Sequence, residues 1–207
     1  MLPRCNPLVN LFPFARPPIF FSDSRLATSL LTRHASPGRM SSMSTSRIVE
    51  ARIEIPMGSR NKYEVDEKTG RIKLDRVLYS SVYYPAEYGF VEDTRYLDGD
   101  PLDILVFTSA PTFPGCYVDC RIIGGMDMID CGKPDVKILA VNIGDPRYEH
   151  VNNLEDLPPH YLQEIQNFFL TYKTLQNKKT EVGDFFGVET ACRILDASIE
   201  RFAAELR

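Results

Sequence analysis

Asp98-Gly-Asp-Pro-Leu-Asp103 sets three carboxylates within six residues. So dense a group must repel itself, be solvated, or share cations. On an extended segment the side chains of Asp98 and Asp100 fall on one side. Pro101 then turns the chain and can return Asp103 towards the same point. Gly99 permits a close backbone approach. The segment is not an EF-hand loop, because its third acid comes one position late and Ser109 stands where a bidentate Glu belongs.

Other donors are spread along the chain. Asp130 and Asp135 precede Lys137, Lys62-Tyr-Glu64 forms another group, and Arg76, Tyr84, Tyr88 and the pair Tyr172-Lys173 add cations and phenols. Oxygen ligands without histidine or thiolate select hard cations, Mg²⁺ before Zn²⁺. Clustered Lys, Arg and Tyr donors suit phosphate oxygens. Each feature has a plain structural reading when taken singly: a turn for Asp-Gly-Asp, a core aromatic for Tyr84, a solvated helix residue for Lys173. What is missing narrows the chemistry. Gly132-Lys133 is followed by Pro134, so it is no Walker loop, and G-x-S-x-G, HExxH and GxGxxG do not occur. With no catalytic histidine in evidence, a base must be a carboxylate.

These groups lie in a chain of 207 residues, enough for one well-cored domain. Its net charge of −4 divides unevenly. Residues 1–47 hold six arginines and one acid, a balance of +5, and the remainder stands at −9. An acidic domain repels nucleic-acid phosphates and concentrates divalent cations. No apolar run approaches the ~20 residues of a membrane span, so neither nucleic acid nor membrane is an expected partner. The five cysteines contain no CxxC pair, which fits free thiols better than a zinc site.

Residues 1–47 are rich in Arg, Ser and Pro, the composition of an organelle transit segment. Their arginine density favours a mitochondrion over a chloroplast, and Met40 offers a start for a cytosolic form. The domain is expected over residues 48–207. Alternation predicts strands at Ile48–Ile55, Asn61–Asp66, Arg71–Leu74, Tyr88–Glu92, Asp103–Phe107, Tyr117–Ile123 and Val136–Asn142. The second and third make a hairpin around Glu67-Lys-Thr-Gly70. Short strands at this spacing suggest a small barrel. Helical stripes follow, from Leu157 to Leu175 with Asp156 as N-cap, and from Val188 to Phe202. Strands first and helices last argue an α+β class, mainly β, with the helices flanking the barrel.

Taken together and in order, Glu54 in Ile-Glu-Ile-Pro, Lys62-Tyr-Glu64, Asp75-Arg76, Tyr84-Pro-x-x-Tyr88-Gly, Asp98-Gly-Asp-Pro-Leu-Asp103, Asp130-x4-Asp135-x-Lys137 and Tyr172-Lys173 resemble the family I soluble inorganic pyrophosphatases. The likeness covers about residues 50–180. Gly144-Asp-Pro-Arg-Tyr-Glu-His150 and Leu157-Pro-Pro-His160 look more like plant or algal members than bacterial ones. The resemblance implies an OB-like five-stranded β-barrel with flanking α-helices, and Mg²⁺-dependent hydrolysis of inorganic diphosphate to two orthophosphates. It assigns a first Mg²⁺ to Asp98, Asp103 and Asp135, a second to Asp103, a third to Asp130 and Asp135, and a fourth to Glu64. Asp100 would orient and deprotonate the water between the first two. Lys62, Arg76, Tyr88, Lys137, Tyr172 and Lys173 would grip the phosphoryl groups, with Glu54 and Tyr84 behind them. Cys131-Gly-Lys-Pro134 departs from the family, whose members carry more polar or acidic residues there. Two rivals stand beside this reading: an OB-type single-strand binder, which needs a basic aromatic face, and an inactive metal-binding relative. A homo-oligomer is compatible with the sequence.

Overall fold

The structure, a computed structural model, describes residues 47–66 and 68–207. The expected targeting segment, apart from Arg47, lies outside the described residues, as does Met40.

The strands are β1 (Ile48–Ile55), β2 (Asn61–Val65), β3 (Ile72–Val77), β4 (Glu87–Val91), β5 (Leu102–Phe107), β6 (Tyr117–Asp130), β7 (Lys133–Pro134), β8 (Lys137–Asn142) and β9 (Thr180–Gly187). The helices are α1 (Pro159–Thr171) and α2 (Val188–Glu205). The α+β, mainly-β class therefore stands. The expected OB-like five-stranded barrel does not. The main sheet has seven strands in the order β1-β4-β5-β8-β6-β7, with β9 paired to β6 and a further β1–β6 pairing, and β2 with β3 makes a separate two-stranded sheet.

Two segments account for the difference. Gly124-Gly125 interrupts the apolar alternation, so the sequence pattern ends a strand at Ile123, whereas β6 runs through a register shift between Ile122 and Gly124 and on to Asp130. Such an extra residue bends the strand without ending it. The extension supplies the edge for β9, from Asp130↔Thr180 to Gly124↔Gly187. Thr180–Gly187 carries Gly183 and has no buried residue, so it shows no alternation of its own.

Strands β5 and β8 are the one parallel pair among the described residues, and apart from Asp103, Lys137 and Asn142 their runs LDILVF and KILAVN are apolar on both faces. Strands covered on both sides read this way. Leu105, Phe107, Leu139 and Val141 join Ile165, Phe168, Phe169 and Tyr172 in one core. Ile104, Val106, Ile138 and Ala140 join Ala191 and Leu195 in the other. Gly89 is required where β4 meets β1, since a Cβ there would lie 2.0 Å from the Arg52 carbonyl oxygen. The first helix begins at Pro159, and Asp156 does not cap it. The Asp156 carboxylate instead accepts the N–H groups of Asn152 and Asn153 at 2.8 and 3.0 Å, just upstream. Leu175 falls beyond the helix in an exposed turn. No described helix is long and apolar enough to cross a membrane.

Candidate active site

The face of the main sheet that meets α1 turns polar at one end, and the site is built there. Tyr88 on β4 pairs with Leu105, and Asp103 on β5 pairs with Phe90, so the two side chains are diagonal neighbours on one face. The Tyr88 hydroxyl donates to Asp103 Oδ2. The parallel partner of Ile104 is Ile138, which places Lys137 beside Asp103. The Lys137 ammonium, 2% exposed, donates to both Asp103 and Asp135, at 2.5 Å in the second case. The rings of Tyr88 and Phe169 lie 5.6 and 5.7 Å from its Nζ. Burial alone would lower this amine's pKa, but the two carboxylates outweigh burial and hold it above its ordinary value. Lys137 therefore stays charged in an apolar setting.

Asp98 and Asp100 are presented by the loop before β5. Gly99, at φ +100°, allows the reversal. Tyr96 N–H donates to the Asp100 carbonyl at 2.8 Å, and Asp100 N–H to Asp98 Oδ1 at 3.1 Å. Thr94 then ties the loop to the sheet by accepting Leu102 N–H at 2.8 Å. Burial, helped by the Asp135 charge, raises the pKa of Asp98, although the Asp100 N–H acts the other way.

Asp130 and Asp135 are brought together by a hairpin. Cys131 and Gly132, at φ +51° and +85°, form its two-residue turn, and Asp130 pairs with Lys133 across it. Positive φ at both central positions is what a tight hairpin with native twist demands. The departure Cys131-Gly-Lys-Pro134 is thus a turn that keeps the acids in place. Lys173, just past α1, pairs with Asp130. Burial would raise the Asp130 pKa, but Lys173 outweighs it and the value falls. Asp135 is raised, chiefly by burial and despite Lys137.

The β2–β3 hairpin supplies the remaining groups. Lys62 pairs with Arg76 in register. The Lys62 ammonium binds Glu64 and stands 3.7 Å from Asp75, which binds Arg76. Glu54 on β1 is pushed up to about 7 by burial. Tyr84 lies behind Tyr88 with ring centroids 5.5 Å apart. Burial keeps the hydroxyls of Tyr84, Tyr88 and Tyr172 protonated well beyond the ordinary tyrosine range.

Glu54, Lys62, Glu64, Tyr88, Asp98, Asp100, Asp103, Asp130, Asp135, Tyr172 and Lys173 all line one cleft of about 900 Å³. Lys137 lies beneath its floor. Arg76 and Tyr84 are not in the lining: Tyr84 packs against Tyr88, and Arg76 stands beside Lys62 on the hairpin. The sequence reading gives no role to three contributors, of which Asp75 appears only as part of the Asp75-Arg76 motif. Asp75 ties Lys62 to Arg76, Lys133 lines the mouth, and Phe169 lies beside the Lys137 ammonium. The register of the hairpin could have found Asp75, whereas nothing local marks Phe169, an ordinary core position on α1.

Among the described residues no three His, Cys, Asp or Glu side chains converge as a ready cation cage. Ammonium groups stand among the carboxylates instead. The donor set still fits a hard divalent cation, because the cleft presents several carboxylates and no histidine. Asp130 Oδ1 is buried with no hydrogen-bond partner, a lone pair that a cation can satisfy.

The family model described as inorganic pyrophosphatase matches residues 51–203. The inorganic pyrophosphatase of Geobacillus stearothermophilus is 55% identical over 157 residues, covering 76% of this chain and 95% of that one. Soluble inorganic pyrophosphatase 1 of Arabidopsis thaliana is 49% identical over 151 residues, 73% of this chain and 71% of its own. Among solved structures, the inorganic pyrophosphatase from Thermus thermophilus superposes with a TM-score of 0.73 at 38% identity, covering 82% of this chain and 97% of that one. The Helicobacter pylori enzyme gives 0.73 at 37% identity, with 81% and 99% covered. A sequence match over residues 51–203, joined to a fold shared with these structures, places the chain in the family I inorganic pyrophosphatases.

Proposed function

We propose that this cleft hydrolyses inorganic diphosphate by direct attack of a water whose proton passes to Asp100. Mg²⁺-dependent hydrolysis of inorganic diphosphate is the activity of the family to which the chain belongs. The observation that carries the residue assignment is the single cleft in which Asp98, Asp100 and Asp103 meet Lys62, Tyr172 and Lys173. Acids alone would repel a diphosphate, and cations alone would bind it without hydrolysing it.

Asp98, Asp103, Asp130 and Asp135, with Glu64 on the hairpin, would hold Mg²⁺, which when bound would neutralise charge and acidify the attacking water. Asp100 is exposed in the cleft, so its carboxylate is open to accept that proton. Lys62, Lys173 and Arg76 bring cationic donors to the phosphoryl oxygens. Tyr172, kept protonated by burial, donates as a neutral hydroxyl without adding charge, while the Tyr88 hydroxyl is committed to Asp103 and steadies that carboxylate. Lys137 holds Asp103 and Asp135 in fixed orientation, gives its third N–H to the Tyr88 hydroxyl at 3.3 Å, and sets its positive charge beneath the cleft floor. Donors fixed before reaction stabilise the charge that spreads over both phosphates without reorganising. Glu54 and Tyr84 support this layer from behind.

The testing experiment is hydrolysis of inorganic diphosphate by the purified full chain, with and without Mg²⁺. Orthophosphate release that depends on Mg²⁺ is expected. Binding of single-stranded nucleic acid without hydrolysis, or metal binding without turnover, refutes the assignment in favour of one of the two rivals.

We also propose that residues 1–47 are an address and residues 48–207 the catalytic domain, the support being the shift from +5 to −9 in charge. Residues 48–207 alone are expected to keep turnover within a few-fold of the full chain, and a fluorescent fusion of residues 1–47 to enter mitochondria. A larger loss on truncation, or a signal confined to plastid or cytosol, refutes the corresponding half. The plant or algal affinity rests on the loops Gly144–His150 and Leu157–His160.

A further inference from the structure

The hairpin that carries Lys62, Glu64 and Arg76 lies against β1 and sets its Ile72 side chain on Gly115, but no strand ladder joins it to the main sheet. It forms its own two-stranded sheet, unpaired with the main one, and neither of its strands has a buried residue. Ile72, Leu74 and Val77 on β3 are exposed. An isolated two-stranded hairpin is marginal in water, so something must fix it over the cleft. Among the described residues, the hydrogen bonds of the hairpin run within it or to its immediate flanks, with one exception. Val65 N–H donates to Glu54 Oε1 at 2.7 Å.

That bond is well placed to act. Glu54 lies on β1, between Ile53 and Ile55, both wholly buried, so its backbone is fixed by the main sheet. Val65 directly follows Glu64 and is three residues from Lys62. Locking the Val65 amide therefore fixes the hairpin near its tip, where the ends at Asn61 and Val77 exert least control. We propose that Glu54 is a positioning residue that anchors the β2–β3 hairpin to the sheet through the Val65 amide, and that its part in the reaction is to accept this N–H. The proposal rests on the diphosphatase reading of the cleft, but its first test does not involve activity.

Amide hydrogen exchange at Val65, read by NMR in the full chain, compares the native protein with Glu54→Gln and Glu54→Ala. Glutamine retains an acceptor oxygen, and alanine has none. Alanine removes the acceptor outright, so Val65 is expected to exchange ~10-fold faster in Glu54→Ala. Glu54→Gln is expected to stay within about 2-fold of native, with exchange across Leu102–Phe107 unchanged in both. Kinetics give the second arm. Because the hairpin bears substrate-gripping cations, Glu54→Ala is expected to raise KM for Mg²⁺-diphosphate ~10-fold while kcat changes less than about 3-fold, and Glu54→Gln to restore KM. Unchanged Val65 exchange in Glu54→Ala overturns the anchor. Glutamine failing as badly as alanine in KM and kcat overturns it too, and assigns the work to the carboxylate's charge. If the native chain does not hydrolyse diphosphate, the reaction assignment fails while the exchange result still decides the anchor.

Discussion

Replacing Asp100 by asparagine is expected to cut diphosphate turnover ~10²–10⁴-fold at neutral pH while leaving the fold and Mg²⁺ binding in place. The expectation follows from how the loop is built. Its hydrogen bonds use the main chain of Asp100: the N–H to Asp98 Oδ1 and the carbonyl from Tyr96. Neither bond depends on the side chain, which is exposed in the cleft. Asparagine matches its shape, so the stability change should stay within about 0.5 kcal/mol. What the amide cannot do is accept a proton from the attacking water. Steady-state turnover, thermal unfolding and Mg²⁺ titration by calorimetry separate these effects. Near-native turnover in Asp100→Asn would show that the base lies elsewhere.

Metal exchange should have an effect as large. Chelation by EDTA is expected to abolish turnover, Mg²⁺ to restore it, and Ca²⁺ to inhibit in competition with Mg²⁺. Asp98, Asp103, Asp130, Asp135 and Glu64 all offer carboxylate oxygens, which bind Ca²⁺ as readily as Mg²⁺. Ca²⁺ holds its ligands at roughly 2.3–2.6 Å against about 2.0–2.1 Å for Mg²⁺, in looser geometry. Longer bonds polarise the attacking water less and move it relative to Asp100. The lysines sharpen the point, since Lys137 and Lys173 already pair with Asp103, Asp135 and Asp130. A cation that is only loosely held therefore competes with resident ammonium groups for the same oxygens. Full turnover with Ca²⁺ as the sole divalent ion, or indifference to EDTA, would rule out this use of the carboxylates.

Much of the site was legible because its information is local. Asp98-Gly-Asp-Pro-Leu-Asp103 gathers its acids through a glycine and a proline inside six residues, so the loop can be read from its own chemistry. The hairpin is similarly short range, although its second strand, expected to end at Leu74, runs on to Val77, which is what sets Arg76 opposite Lys62. The strand Ile48–Ile55 follows from simple alternation. The strand count was less accessible. Its outcome turned on Gly124-Gly125, which reads as a stop yet acts as a bend, because the β9 backbone arrives from about sixty residues away to pair with the continuing strand.

The sequence by itself determined which donors exist, the mainly-β class with two helices, and the family to which they belong. Only the tertiary structure decided what each donor touches. Lys137 reads as one cation among many, yet the parallel β5–β8 pairing buries it between Asp103 and Asp135. Glu54 reads as a polar residue on an alternating strand, yet it holds Val65 of a hairpin that has no other bond to the sheet among the described residues. Both facts depend on register between strands distant in sequence. A shift of one residue in such a pairing sends every side chain to the opposite face, and no short stretch of the chain carries that choice.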